Sequence, residues 1–174
     1  GHLDLAQKTG AKIVFGPTAK PGYDAIVAED NQVFKVGDYS VKIIHTPGHT
    51  MESTTYLLID ENGKEHGIIS GDTLFIGDVG RPDLLDEAAG FVDTRFKGAK
   101  DLFASLRDHF LTLPDYVQVH PAHGSGSACG KALGAIAAST VGYERNFSWW
   151  AKYLKNDDEQ GFIDELLSGQ PDAH

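Results

Sequence analysis

Three short polar clusters, each just after an apolar run, carry the residues of this sequence best suited to chemistry. They are Thr46-Pro47-Gly48-His49-Thr50, Gly71-Asp72-Thr73-Leu74-Phe75 and His120-Pro121-Ala122-His123-Gly124. Imidazole and carboxylate together suit iron, zinc or manganese. Taken singly, His49 reads equally well as a hydrogen-bonded structural histidine, and Asp72 as a turn or helix-cap carboxylate. Loops that leave strand ends converge at one edge of a sheet, however, so side chains far apart in sequence can meet there. Three such clusters together point to a metal site, and Gly48 and Gly71 allow the backbone to bend sharply beside it.

The elements that must position these clusters follow from periodicity and punctuation. Leu3 to Thr9 is a short helical stretch closed by Gly10, and residues 11–15 read as a strand. Residues 17–24 form a Gly/Pro-rich loop. Two hairpins follow, residues 32–36 with 39–45 and residues 54–60 with 65–70, the first turning at Gly37-Asp38. Phe96, Lys100, Phe103, Leu106, Phe110 and Leu113 recur at helical spacing over residues 93–113, and Pro114 ends that helix. Residues 116–119 give one more strand. From about Lys131 the chain is predicted helical, with breaks near Gly142 and at residues 156–158. Hairpins first and helices later predict an α+β domain, a mixed sheet with helices on its outer faces.

Composition narrows the function classes. The chain has 174 residues, the size of a single domain. One cysteine excludes a disulfide framework and a Cys-rich zinc module. A formal net charge of -10 argues against nucleic acid or an anionic membrane as main partner. No apolar run reaches the roughly 18–20 residues needed to span a bilayer. The expectation is a cytoplasmic, enzyme-sized unit.

The metal clusters and their surroundings resemble the later metal motifs of the metallo-β-lactamase superfamily. Gly71 to Leu84 (Gly-Asp-Thr-Leu-Phe-Ile-Gly-Asp-Val-Gly-Arg-Pro-Asp-Leu) and His120 to Lys131 (His-Pro-Ala-His-Gly-Ser-Gly-Ser-Ala-Cys-Gly-Lys) resemble the persulfide dioxygenase branch, especially bacterial members with rhodanese domains downstream. Residues 140–145 and 166–171 are similar to that subgroup as well. The resemblance implies a four-layer αββα sandwich. The superfamily's first metal motif, His-x-His-x-Asp-His, does not occur in this chain. Residues 1–174 are therefore expected to be a single incomplete domain without its first strands, with a linker from about residue 168 onward.

The resemblance implies one Fe(II) per site, held by two histidines and one aspartate, with zinc as the alternative. His49 and Asp72 match two of those ligands, and the third falls in the absent motif, so weak or no metal binding is expected of this chain by itself. His123 matches the superfamily's second-metal histidine, and with a single iron it would stand outside the ligand set, hydrogen-bonding to water or substrate. Arg81 sits where related enzymes place a glutathione contact, and a guanidinium can grip a carboxylate with two parallel hydrogen bonds. The bland alternative for Arg81 is a surface ion pair with Asp78 or Asp83. The implied activity is oxidation of glutathione persulfide by O2 to sulfite and glutathione. A homodimer and a downstream rhodanese domain are partners compatible with the resemblance.

The remaining polar residues carry ordinary expectations. His45 reads as core or hydrogen-bonded, His66 and His109 as surface, and His120 as the outer member of its pair. His2 is read as a tag remnant or ordinary residue rather than a ligand. Cys129 has only Lys131 nearby to activate a thiol. Trp149 and Trp150, with Phe147 and Tyr153, read as helix packing, although exposed aromatics can mark a subunit contact. The rival functions are a glyoxalase II-like zinc thioesterase and a metal-free degenerate homologue. Residues 124–131 lack two positions of the phosphate-binding loop pattern, which weighs against a nucleotide site.

Overall fold

The computed structural model describes residues 1–82, 94–124, 127–130 and 136–168. Helix α1 (His2–Thr9) ends where expected: Gly10 adopts φ 74° and returns its N–H to the Ala6 carbonyl. Two strands, β1 (Val14–Phe15) and β2 (Ile26–Val27), pair in parallel across the Gly/Pro-rich loop. The predicted strand over residues 11–15 is thus shorter, and β2 carried no periodic signal because it is only two residues long.

The main sheet of the described residues has six strands in sequence order: β3 (Val33–Val36), β4 (Tyr39–His45), β5 (Thr54–Ile59), β6 (Glu65–Gly71), β7 (Gln118–Pro121) and β8 (Ser139–Thr140). Both predicted hairpins form, with Ile43 opposite Tyr56 and Tyr56 opposite Ile69. In the turn between β5 and β6, Asp60 Oδ1 accepts from the N–H groups of Asn62 and Lys64. Strand β7 lies parallel to β6 after a helical crossover. It runs two residues further along the chain than its apolar residues predicted, because Tyr116 and Val117 form the approach to the strand.

Helix α2 (Thr94–Ser105) is followed by a π-helical turn (Leu106–Phe110), and Leu111 N–H closes it on the Leu106 carbonyl at 3.1 Å. The predicted single helix over 93–113 is therefore interrupted, with both Leu106 and Phe110 buried; Asp93 lies outside the described residues. Helices α3 (Val141–Phe147), α4 (Ala151–Lys155) and α5 (Glu159–Leu167) complete the chain. Helix was expected from about Lys131, but the described residues 136–140 are not helical and end in β8, and a further break falls at residues 148–150. Gly142 is inside the first turn of α3, whose Thr140 hydroxyl accepts from Tyr143 N–H. The break expected at 156–158 is present, and Asp158 caps α5 through Gly161 N–H. Residues 131–135 and the expected linker at 169–174 lie outside the described residues.

Alternation along the strands decides where the core sits. Ile44, Leu57, Ile68 and Val119 point to one face and pack with Ala99, Leu102, Phe103 and Leu106, and with Phe162, Ile163 and Leu166 of α5. Each fully buried side chain of this size contributes about 1.5–3 kcal/mol. Phe103 meets Phe162 at 5.5 Å, and Trp149 stacks on the same ring at 5.6 Å. The packing expectation for Trp149 and Trp150 holds, Trp150 being buried in the core. Phe147 stands out at 73% exposure, touching Tyr143. Helices were expected on both outer faces; those packed in this core lie on one, and the opposite face presents Tyr56, Ile69 and His120 in a single register row.

Candidate metal centre

Strand β4 is antiparallel to β5, β5 is antiparallel to β6, and β6 is parallel to β7. Strands β4, β6 and β7 therefore all run the same way, and their C-terminal ends open on one edge of the sheet. His49 follows β4, Asp72 follows β6 and His123 follows β7. The topology brings together all three clusters that the sequence singled out.

His49 Nε2 stands 3.5 Å from Asp72 Oδ2, with side-chain exposures of 11% and 22%. His49 Nδ1 is 2.6 Å from the Arg81 carbonyl oxygen. A carbonyl only accepts, so Nδ1 carries the proton and the Nε2 lone pair faces Asp72. This is how metal-binding histidines are commonly oriented. Ligand bonds of about 2.0 Å at a tetrahedral angle place donor atoms about 3.3 Å apart, close to the observed gap. The two side chains thus fit a shared cation. Asp72 Oδ1 lies 2.5 Å from His123 Nδ1, so the carboxylate joins both histidines. The His123 ring also meets Phe75 edge-on at 6.2 Å.

Close backbone packing holds the loops. Gly48 has φ 154° and lies against helix α2; a Cβ there would stand 2.5 Å from Leu102 Cβ. At Gly80 a Cβ would come within 1.9 Å of the Asp72 carbonyl oxygen and 3.0 Å of His49 Cβ. Buried hydroxyls tie the first two loops: Thr46 Oγ1 meets Thr73 Oγ1 at 2.9 Å and Thr55 Oγ1 at 3.0 Å. Ser70 Oγ donates to the Leu74 carbonyl at 2.6 Å. Sequence reasoning missed this network because isolated threonines next to a strand end carry no spacing signal.

The loop from Asp72 to Arg81 is clamped from the helical side. Gly77 N–H donates to Glu144 Oε1 at 2.5 Å, Ser148 Oγ donates to Glu144 Oε2 at 3.1 Å, and Trp149 Nε1 donates to Asp78 Oδ1 at 2.9 Å. Burial raises the Glu144 carboxyl above the usual glutamate range, against the lowering effect of the Gly77 and Ser148 bonds.

Arg81 is 1% exposed and Asp78 is buried as well, so the Arg81 side chain is neither on the surface nor open to a substrate in this structure; Asp83 lies outside the described residues. Cys129, given no role from the sequence, falls beside the centre. An imidazole nitrogen of His49, a carboxylate oxygen of Asp72 and Cys129 Sγ all lie within 4.8 Å of one another. The other histidines behave otherwise. His45 Nε2 bonds the Met51 carbonyl at 2.8 Å, His66 pairs with Asp60 at 3.0 Å, and His120 is exposed on the sheet face. His109, expected on the surface, is half-buried in the π-helical turn. The His2 ring packs with Phe15 and Tyr23. Of residues 124–131, the described Ser127 to Gly130 form a turn rather than the start of a helix.

A metallo-β-lactamase from Staphylococcus aureus subsp. aureus COL superposes with TM-score 0.84 at 40% identity, over 97% of this chain and 50% of that one. ETHE1 from Myxococcus xanthus superposes with TM-score 0.70 at 22% identity, over 97% and 63%. In sequence, the chain is 29% identical over 119 residues to a probable polyketide biosynthesis zinc-dependent hydrolase, BaeB, of Bacillus velezensis, covering 68% of this chain and 46% of that protein. It is 30% identical over 115 residues to a probable hydroxyacylglutathione hydrolase, glo2, of Schizosaccharomyces pombe, covering 66% and 36%. No protein-family model matches the chain. The chain has a metallo-β-lactamase-like α+β fold, as its sequence motifs led one to expect. Structural neighbours and hydrolase relatives together support the metallo-β-lactamase superfamily. The chain spans about half the length of the curated relatives it matches, or less. Among the described residues, no helix is long and apolar enough to cross a membrane.

Proposed function

We propose that this chain forms part of a metal-dependent enzyme, and that its activity is oxidation of glutathione persulfide by O2 to sulfite and glutathione. The observation that carries the metal reading is the pairing of His49 Nε2 with Asp72 Oδ2 at 3.5 Å, with Nδ1 tied to a backbone carbonyl. The choice of reaction is supported by the resemblance of residues 71–84 and 120–131 to persulfide dioxygenases. Bound there, a ferrous ion would supply adjacent open positions for a sulfur and O2.

The chain's own residues do the positioning. His49 and Asp72 would hold the ion, and the Arg81 carbonyl fixes the imidazole so that its lone pair faces inward. His123 holds the second oxygen of Asp72, keeping the carboxylate from rotating away, and its exposed ring edge is available to a substrate or water. Arg81 is the proposed contact for a substrate carboxylate, a role that requires the substrate to uncover its buried side chain.

A second reading, a zinc thioesterase, is favoured by the hydrolase relatives, two of them probable hydroxyacylglutathione hydrolases. One experiment separates the two. The intact protein is loaded anaerobically with ferrous iron and given glutathione persulfide, and O2 uptake with sulfite release is expected. Hydrolysis of lactoylglutathione by the zinc-loaded protein, with no O2 uptake by the iron-loaded one, would move the assignment to the thioesterase.

A further inference from the structure

An apolar groove leaves the metal centre on the side of His123 and has no part in the reading above. Beside His123 is a cavity of about 150 Å³ that Ile76 and Ile136 also line. The same two isoleucines line a second cavity of about 360 Å³, together with Tyr143, Phe147 and Trp149. The two cavities meet at Ile76 and Ile136 and form one groove. Ile136, Tyr143 and Phe147 are 67%, 55% and 73% exposed, and the two aromatic rings lie 4.8 Å apart. Large apolar side chains left in water and gathered along one groove mark a binding site. Ile76, by contrast, is buried, in the loop that Glu144 clamps through Gly77 N–H, which gives the groove a fixed floor.

We propose that this groove holds an apolar arm of the sulfur substrate, so that persulfides of alkyl or aryl thiols are oxidised besides glutathione persulfide. The inference rests on the dioxygenase reading for its chemistry and on the groove for its selectivity. Charge, size and continuity argue for such an occupant. Glutathione carries two carboxylates, yet no lysine or arginine is among the described residues lining either cavity. Glu144 is the one acidic group there, and its oxygens are taken by Gly77 N–H and the Ser148 hydroxyl. The larger cavity falls within the roughly 300–1,000 Å³ of small-molecule sites. The smaller one opens on His123, which bonds Asp72. A sulfur held at His49 and Asp72 would thus send its carbon chain past His123 into the groove. The reaction is the same for any such thiol: RSSH, O2 and H2O give RSH, sulfite and two protons. The terminal sulfur gives up four electrons, O2 takes them, and the S–S bond breaks to release the thiol.

The test is binding of butanethiol, hexanethiol and octanethiol to the intact protein under anaerobic conditions, read by tryptophan fluorescence because Trp149 lines the groove. Affinity should rise about fourfold per methylene, the gain for burying one such group. Ile136→Ser and Phe147→Ser should flatten that slope, and at these exposed positions the fold loses little. In the iron-loaded protein, the same variants should lower kcat/KM for hexyl persulfide relative to glutathione persulfide by about tenfold or more. Affinity that ignores chain length, or equal slopes in wild type and both variants, would overturn the groove; O2 uptake with glutathione persulfide would then leave the dioxygenase reading standing. Uptake with glutathione persulfide alone would overturn the wider substrate range. Chain-length-dependent binding with no O2 uptake from either persulfide would overturn the dioxygenase reading and keep the groove. Near-wild-type circular dichroism of the variants shows that the change is local.

Discussion

The Arg81 carbonyl oxygen sits 2.6 Å from His49 Nδ1, across 32 residues of sequence. This contact decides which imidazole nitrogen carries the proton, and so which one is left to bind an ion. The loop ending at Arg81 is in turn gripped by Glu144 and Trp149 from the helical layer. Orientation of the candidate ligand is thus passed from the helices through one short loop, and each link can be tested.

Gly80→Ala should damage the centre without touching a ligand. The added methyl would lie 1.9 Å from the Asp72 carbonyl oxygen and 3.0 Å from His49 Cβ, so the loop must shift. Overpacking of this kind costs about 1–3 kcal/mol. Thermal unfolding and metal titration should show both a lower Tm and an affinity reduced by about 10–100-fold, as when an outer-shell support is lost. Wild-type affinity in this variant would show that the loop does not position His49.

His123→Ala removes a partner of Asp72 rather than a member of the proposed ligand set. One equivalent of metal should still bind, about 10–100-fold more weakly, by elemental analysis and competition titration. A fall from two equivalents in the wild type to one in the variant would instead make His123 a ligand to a second ion.

Arg81→Ala should raise KM for glutathione persulfide more than it lowers kcat, because a carboxylate clamp contributes mainly to binding. The backbone bonds to His49 and Cys129 do not use the guanidinium, but the side chain is buried, so a near-wild-type Tm for the variant is the control that makes a raised KM a binding effect. An unchanged KM would remove Arg81 from the substrate contacts.

Glu144 predicts a pH-dependent term in stability. Burial raises its carboxyl in the folded state, so the folded chain holds this proton to a higher pH than the unfolded chain does. Its stabilising contribution is therefore present at low pH and declines as pH climbs from the ordinary glutamate range through the raised value. Glu144→Gln, which keeps an acceptor for Gly77 N–H, should flatten that decline in chemical denaturation curves. Glu144→Ala should cost about 1–3 kcal/mol by leaving Gly77 N–H unpaired. Parallel pH profiles for wild type and Glu144→Gln would refute this account.

The sequence alone was enough to mark His49, Asp72 and His123, because each follows a strand whose end is set by local patterning, and polar residues at strand ends stand out against apolar runs. The two hairpins, α1 with Gly10, and the amphipathic start of α2 were legible for the same reason: their signals lie within a few residues. Short pairings such as β1–β2 and β8 were not, since two residues carry no period. Nor could spacing show that Cys129 returns to the centre, that Arg81 is buried, or that Thr46, Thr73, Glu144 and Trp149 brace the loops. Those relations span tens of residues and exist only once β4, β6 and β7 align in one direction. Local patterning chose the donors, and long-range packing decided which of them meet and which nitrogen faces inward.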